Sequence, residues 1–200
     1  MLDTVNHTLY ARLAPAVELT GAAPSGPVLL AEWAILLGPA LLVGLWIAGK
    51  GADRRAAVAA CLTAFLAVAI AAAISAAVWH PRPFMEGLSP NYLGHAPDSS
   101  FPSDHATLLF ALGFSLLFSR PPQFRLAWII PMCLAVAVGW ARVYLGVHYP
   151  LDIAGAALVG LSAAAILVTP ACRQAVDACT RFGEWLYALL VSCAGLRTDS

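Results

Sequence analysis

The 200 residues carry no net charge at neutral pH, and 60% of them are hydrophobic against 11% charged, with a mean hydropathy of +0.79. That composition excludes an ordinary soluble domain, offers no basic surface for nucleic acid, and shows no block of like charge for a soluble partner. An all-α integral membrane protein is expected, because a helix satisfies its own backbone polar groups inside hydrocarbon.

In chain order, residues 4–19 mix apolar positions with charge and proline and read as a helix lying in the interface. The opening lacks the basic start and short apolar core of a cleaved signal peptide. Residues 28–48 and 56–79 each supply the roughly 20 apolar positions a crossing helix needs. Residues 103–118, 126–141 and 153–170 are shorter, and each borders a polar cluster suited to the interface. About five spans follow, and residues 181–196 read as a second interfacial helix. No repeat or second soluble domain is visible. A single membrane domain over 1–200 is expected, with an interfacial segment at 1–25, a transmembrane core at 26–170 and a tail at 171–200.

Lys50, Arg54, Arg55, Arg120, Arg125, Arg173, Arg181 and Arg197 all fall at one end of such a bundle, which marks that end as cytoplasmic. The N-terminus is then outside, and Arg12, Arg82 and Arg142 are left for the outer face. Trp33, Trp46, Trp79 and Trp140 lie near span ends, as aromatic belts require. The five cysteines, Cys61, Cys133, Cys172, Cys179 and Cys193, form no CxxC pair and read as structural or neutral.

Three outer stretches hold the concentrated chemistry: "HPRPF" at 80–84, "FPSDH" at 101–105 and "RVYLGVHYPLD" at 142–152. A charge at mid-membrane costs roughly 2.5–3.5 kcal/mol on insertion scales, and helix ends avoid most of that. Pro102 followed by Ser103 and Asp104 reads as a helix start, with either side chain able to cap it and with free N–H groups that favour an anion. Pro150 suits the first turn of the next helix, so His148 precedes that helix and Asp152 lies in its opening turn. An imidazole held by a carboxylate on one nitrogen presents the other as a base or nucleophile. Two arginines, a helix N-terminus and two histidines suit a phosphoryl group, because the guanidinium fork matches phosphate oxygens in pairs.

These residues resemble the type 2 phosphatidic acid phosphatase (PAP2) superfamily, whose motifs are KxxxxxxRP, PSGH and SRxxxxxHxxxD. Arg82 and Pro83 match the end of the first motif. "PSDH" at 102–105 matches the second with Asp104 in place of glycine. Arg142, His148 and Asp152 match the third, with Ala141 at the serine position. Ser75 stands where the first motif has lysine. "PRPF", "HAPDSSFPSDHAT" and "ARVYLGVHYPLDIAG" are similar to the bacterial undecaprenyl-diphosphatase branch, over about residues 28–160. The resemblance implies a PAP2-type helical bundle in the bacterial cytoplasmic membrane with its site on the extracytoplasmic face. It also implies hydrolysis of undecaprenyl diphosphate in recycling of the cell-wall lipid carrier, with a part in bacitracin resistance. Carried over by residue, it implies His148 as nucleophile forming a phosphohistidine, Asp152 orienting it, and His105 as general acid. Arg82, Ser103 and Arg142 would hold phosphoryl oxygens. The partners implied are a polyprenyl diphosphate and membrane lipids; no metal or other cofactor is implied.

Asp104 is balanced between helix cap and site residue. Glu32, a carboxylate near the outer end of the first span, is balanced between a partner in the site and simple interfacial placement. His80 and His95 read as loop histidines that also suit substrate contact, and Ser75 as a packed helix residue or a ligand. Glu86 and Asp98 carry no separable signal. Two other activities compete: a lipid phosphatase or phosphotransferase of the same superfamily acting on lipid A or phosphatidylglycerophosphate, and a proton-coupled transporter. Transporters usually show paired repeats with interrupted midplane helices, which this sequence lacks.

Overall fold

The structure, a computed structural model, describes residues 2–14 and 25–193. The parts of the two expected interfacial helices at 15–19 and 194–196, and Arg197, lie outside the described residues. Within them, the regular elements are helices: α1 (Leu2–Leu13), α2 (Ser25–Trp33), α3 (Leu37–Ala48), α4 (Ala52–Ala77), α5 (Asp104–Ser119), α6 (Ile129–Tyr144), α7 (Pro150–Leu167) and α8 (Pro170–Cys193). The all-α membrane fold is borne out. Ser25–Ala48, Ala52–Ala77 and Pro150–Leu167 are long and apolar enough to cross a membrane, and Asp104–Ser119 and Ile129–Tyr144 are shorter apolar helices.

The boundaries depart from expectation for local reasons. The first span is interrupted by a 3-10 turn at Ala34–Leu36. Pro39 has no N–H for the carbonyl of Ile35, and its ring crowds that carbonyl, so the helix tightens just ahead of it. The fourth span begins at Ile129 rather than 126, because residues 121–129 are taken up by successive turns, Phe124 N–H to Pro121 O, Ala127 N–H to Phe124 O and Ile129 N–H to Leu126 O. α8 starts at Pro170, well before 181, since a proline at the first helical position gives up only an N–H that had no partner.

α5 is the central helix and packs against α4, α6 and α7. Small side chains permit this: Ala67, Ala111 and Ala163 are fully buried where α4, α5 and α7 meet. Gly160 of α7 lies against the backbone of α5, where a Cβ would come within 2.8 Å of Ala111 N and 3.0 Å of Phe110 C.

Helix direction brings the three polar stretches to one end of the bundle. α4 runs up to it, the connection 78–103 crosses it, α5 starts from it, and the α6–α7 turn closes it. Gly146 makes that turn possible with φ of +70°, and Ser89 Oγ occupies the space a Cβ would need. The N–H groups of Val147 and His148 then fold back onto Arg142 O at 3.0 and 3.3 Å. α1 braces the start of α7: Leu151 N–H, one of the N–H groups a helix start leaves free, donates to Asn6 Oδ1 at 3.1 Å. The Tyr149 hydroxyl donates to Glu86, which also bonds His7 Nε2 at 3.0 Å.

Overpacking typically costs about 1–3 kcal/mol. Gly160→Val is therefore expected to lower the melting temperature of detergent-purified protein by several degrees, whereas Gly44→Val, with nothing within 4 Å of its Cβ position, leaves it nearly unchanged. Thermal unfolding of the two variants checks this.

Candidate active site

Arg82, Arg142, His148 and Asp152 are all at least 96% buried, at 4, 3, 2 and 0% exposure. Buried charges of this kind persist only with partners, and the partners define the site.

Arg82 has every donor engaged. Its Nε and Nη2 both reach Asp98 Oδ1, at 2.8 and 2.7 Å. Nη2 also donates to Ser99 O at 3.1 Å, and Nη1 donates to Val147 O at 2.9 Å and contacts His148 Nε2 at 3.3 Å. Because guanidinium only donates, His148 Nε2 must accept, and the imidazole proton sits on Nδ1. That Nδ1–H points to Ser100 O at 2.8 Å. Asp152 Oδ2 lies beside it at 3.4 Å while accepting Tyr149 N–H at 2.7 Å. The expected carboxylate grip on His148 is thus shared: the Ser100 carbonyl is the nearer acceptor, and Asp152 supplies charge next to it. Burial pushes the pKa of His148 down to about 4, outweighing the hydrogen bond and charge of Asp152.

Arg142 is differently placed. Nη1 donates to Ala31 O at 3.4 Å and Nη2 to His95 Nε2 at 3.0 Å, while its buried Nε has no partner among the described residues. By the same argument His95 is neutral with its proton on Nδ1, and burial followed by the charges of Arg82 and Arg142 holds its pKa below the ordinary histidine value. Ser103 and Thr107, both fully buried and one turn apart at the start of α5, also have unpartnered hydroxyls. Ser103 occupies the N-cap position of α5, yet neither its side chain nor that of Asp104 makes the capping bond the sequence predicts. Orphaned buried donors are rare. Among the described residues they include the Arg142 Nε edge, the Ser103 and Thr107 hydroxyls, the protonated Nδ1 of His95 and the Tyr92 hydroxyl; the guanidinium edge and the two α5 hydroxyls are a set suited to oxygens of an oxyanion.

His105, in the first turn of α5, lies close enough to Arg142, His148, His95 and Arg82 to feel their charges. Asp104 is exposed in the same turn and within the fields of Arg82 and Arg142. Glu32, also exposed, acts on Arg142 from the residue after Ala31. His80 stands behind Asp152: its Nδ1 bonds Ser100 Oγ at 2.7 Å, lies 3.8 Å from Asp152 Oδ1, and its ring meets Tyr149 edge-on. Ser75 is half-buried near the end of α4 and makes no hydrogen bond to these residues among those described. Sequence reasoning passed over Asp98 and Thr107 and left His95 as one loop histidine among others. The one available signal was the polar run "HAPDSS" leading directly into "FPSDH".

Fold and site together define a helical membrane protein with two imidazole–guanidinium pairs at one end of its bundle, one fully buried and one partly so. The chain belongs to the PAP2 superfamily, whose model matches residues 35–174. It is 32% identical over 163 residues to the candidate undecaprenyl-diphosphatase YbjG of Escherichia coli (strain K12), a match covering 80% of each chain. With the undecaprenyl-diphosphatase BcrC of Bacillus subtilis (strain 168) it shares 29% identity over 134 residues, 67% of each chain. The crystal structure of Aquifex aeolicus LpxE has the same fold, with a TM-score of 0.62 at 24% identity over 81% of this chain and 93% of that one. The resemblance read from the motifs is borne out, and the protein is a phosphatase of the PAP2 type.

A histidine whose folded pKa lies below its unfolded value of about 6.5 stabilises the fold above that value, and loses the contribution as pH falls toward the folded pKa. For His148 the window runs from the unfolded value down to about 4. The melting temperature in detergent is expected to fall through this window, and less steeply in His148→Gln. Equal slopes in the two proteins would contradict the tautomer and burial assigned to His148.

Proposed function

We propose that the protein is an undecaprenyl-diphosphatase that transfers the terminal phosphoryl group of its substrate to His148 and then to water. The observation that carries the reading is the unprotonated Nε2 of His148 beside Arg82, with the unfilled donors of Arg142 and Ser103 in the same polar end of the bundle. The likeness to YbjG and BcrC supports the choice of lipid.

In this mechanism the terminal phosphate enters with two of its oxygens taken up by Arg142 Nε and the Ser103 hydroxyl, and Arg82 turns one Nη1–H from His148 to the phosphate. Nε2 attacks phosphorus in line with the bridging oxygen. The bond from phosphorus to that oxygen breaks, undecaprenyl phosphate departs, and His105 supplies the proton the departing oxygen needs. The phosphohistidine ring is cationic, and Asp152 and the Ser100 carbonyl stabilise it through Nδ1–H. His105 next takes a proton from water, which attacks phosphorus, breaks the P–N bond and frees inorganic phosphate. Phosphate is a far better leaving group than an alkoxide, so a diphosphate tolerates serine at position 75 where the superfamily motif has lysine.

The excess of Lys and Arg at the opposite bundle end supports a site on the extracytoplasmic face of a bacterial cytoplasmic membrane. There the headgroup is reached while the hydrocarbon tail stays among lipids. The 1–200 chain acts as one membrane domain in this reading.

His148→Ala is expected to abolish phosphate release and phosphohistidine labelling, and His105→Ala to slow turnover by about 10²–10⁴-fold, both at normal expression. Full activity in either variant would remove the histidine mechanism. Purified protein assayed against undecaprenyl diphosphate, lipid A and phosphatidylglycerophosphate is expected to release phosphate fastest from the diphosphate. Preference for a monoester would transfer the assignment to another lipid phosphatase of the superfamily.

A further inference from the structure

The end of the bundle opposite the imidazoles contains a second polar recess. A cavity of about 350 Å³ lies between α4, α5, α7 and α8, with Arg55, Ser115, Ser119 and Arg173 in its lining and Leu167 and Val168 as apolar wall. It adjoins a shallower cleft of about 600 Å³ that shares Arg173 and Val168 and adds Arg120, Leu117 and Ala165.

The cations at this end are not equally available. Arg54 donates to Trp46 O at 3.0 Å and lies over the rings of Trp46 and Tyr187. Arg55 pairs with Asp177 at 2.5 Å. Asp53, the other nearby acid, is buried and occupied by the N–H groups of Gln123 and Lys50. Arg120 and Arg173 have no side-chain partner among the described residues, so the recess keeps an excess of positive charge. Helix ends do not cancel it, because the N-termini of α4 and α8 and the C-termini of α5 and α7 all meet here with opposing dipoles.

Two further observations point to a ligand. Arg120 ends α5 with φ of +43°, in the left-handed region that glycine adopts without strain and that costs another residue roughly 1–2 kcal/mol. A guanidinium is held beside the cleft at that cost. Ser115 is 96% buried in the apolar bundle yet lines the cavity, where its hydroxyl meets Thr63 Oγ1 at 3.1 Å; Thr63 also reaches Ala59 O at 2.7 Å.

We propose that this recess binds the phosphate of an anionic phospholipid, with Arg120 and Arg173 on the phosphate oxygens, the Ser115 and Ser119 hydroxyls beneath, and the acyl chains along Leu117, Ala165 and Val168. Basic pockets between transmembrane helices commonly hold anionic headgroups. The apolar wall beside the guanidiniums selects an amphiphile over free phosphate. The proposal is independent of which lipid is hydrolysed at the other end.

Native mass spectrometry of the full chain, exposed to phosphatidylglycerol and phosphatidylcholine of matched chains, tests it. Wild type is expected to retain phosphatidylglycerol at least several-fold over phosphatidylcholine. R120Q/R173Q is expected to lose the preference while keeping normal phosphatase turnover, and Ser119→Phe, which fills the cavity without changing charge, to lose it likewise. Phosphatidylglycerol should raise the melting temperature, and inorganic phosphate at equal phosphate concentration should not. Equal retention of both lipids by wild type, or an undiminished preference in both variants, would overturn the proposal. So would a thermal shift produced equally by inorganic phosphate.

Discussion

One buried guanidinium ties the site together. Arg82 leaves the connection between α4 and α5, yet its donors end on Val147 and His148 in the α6–α7 turn and on Asp98 and Ser99 further along its own connection. A planar group with fixed donor directions cannot satisfy four acceptors unless both segments hold one arrangement. Losing any of them would leave a buried donor unpaired, at about 1–3 kcal/mol each. The same contact fixes the tautomer of His148, because an arginine can only donate to Nε2. Geometry and protonation state therefore come from one interaction.

The two arginines divide the work. Arg82 is saturated by protein and acts first as a clasp, whereas Arg142 keeps an empty Nε and, among the described residues, has a carbonyl at 3.4 Å and His95 as partners. A lysine could not replace either, since a single ammonium can neither span two segments nor present two parallel donors. His95 resembles His148 in this respect: each imidazole accepts from a guanidinium and so must stay neutral in the resting protein. In the proposed mechanism, an entering anion gives both guanidiniums a stronger acceptor than a neutral imidazole and so frees Nε2 of His148 when a phosphorus atom is available.

Much of this was legible in the chain. Length and hydropathy point to membrane-spanning helices, and the spacing of Arg142, His148 and Asp152 around Pro150 places them on one turn and one helix start. What escaped reading was non-local or carried by backbone. The acceptor nearest to His148 Nδ1 is the carbonyl of Ser100, which any residue would supply and no side-chain pattern reports. Asp98 and His95 gain their meaning from arginines 16 and 47 positions away. The brace from Asn6 to Leu151 spans 145 positions and joins α1 to the start of α7. The missing side-chain cap at Ser103 is a local misreading with a chemical reason: a hydroxyl that capped its own helix would not be free for a ligand.

The distribution of unpaired donors also distinguishes the two ends of the bundle. At the imidazole end, the guanidiniums are almost fully buried among polar side chains and backbone carbonyls, so an anion taking their donors would exchange one set of close hydrogen bonds for another and be held in a defined orientation, which fits the in-line displacement proposed above. At the far end, Arg120 and Arg173 are exposed beside apolar walls, an arrangement that attracts a headgroup without fixing each of its oxygens. Charge alone is present at both ends; burial and the number of fixed partners are what differ, which fits the two proposed roles, bond breaking at the imidazoles and lipid retention at the far end.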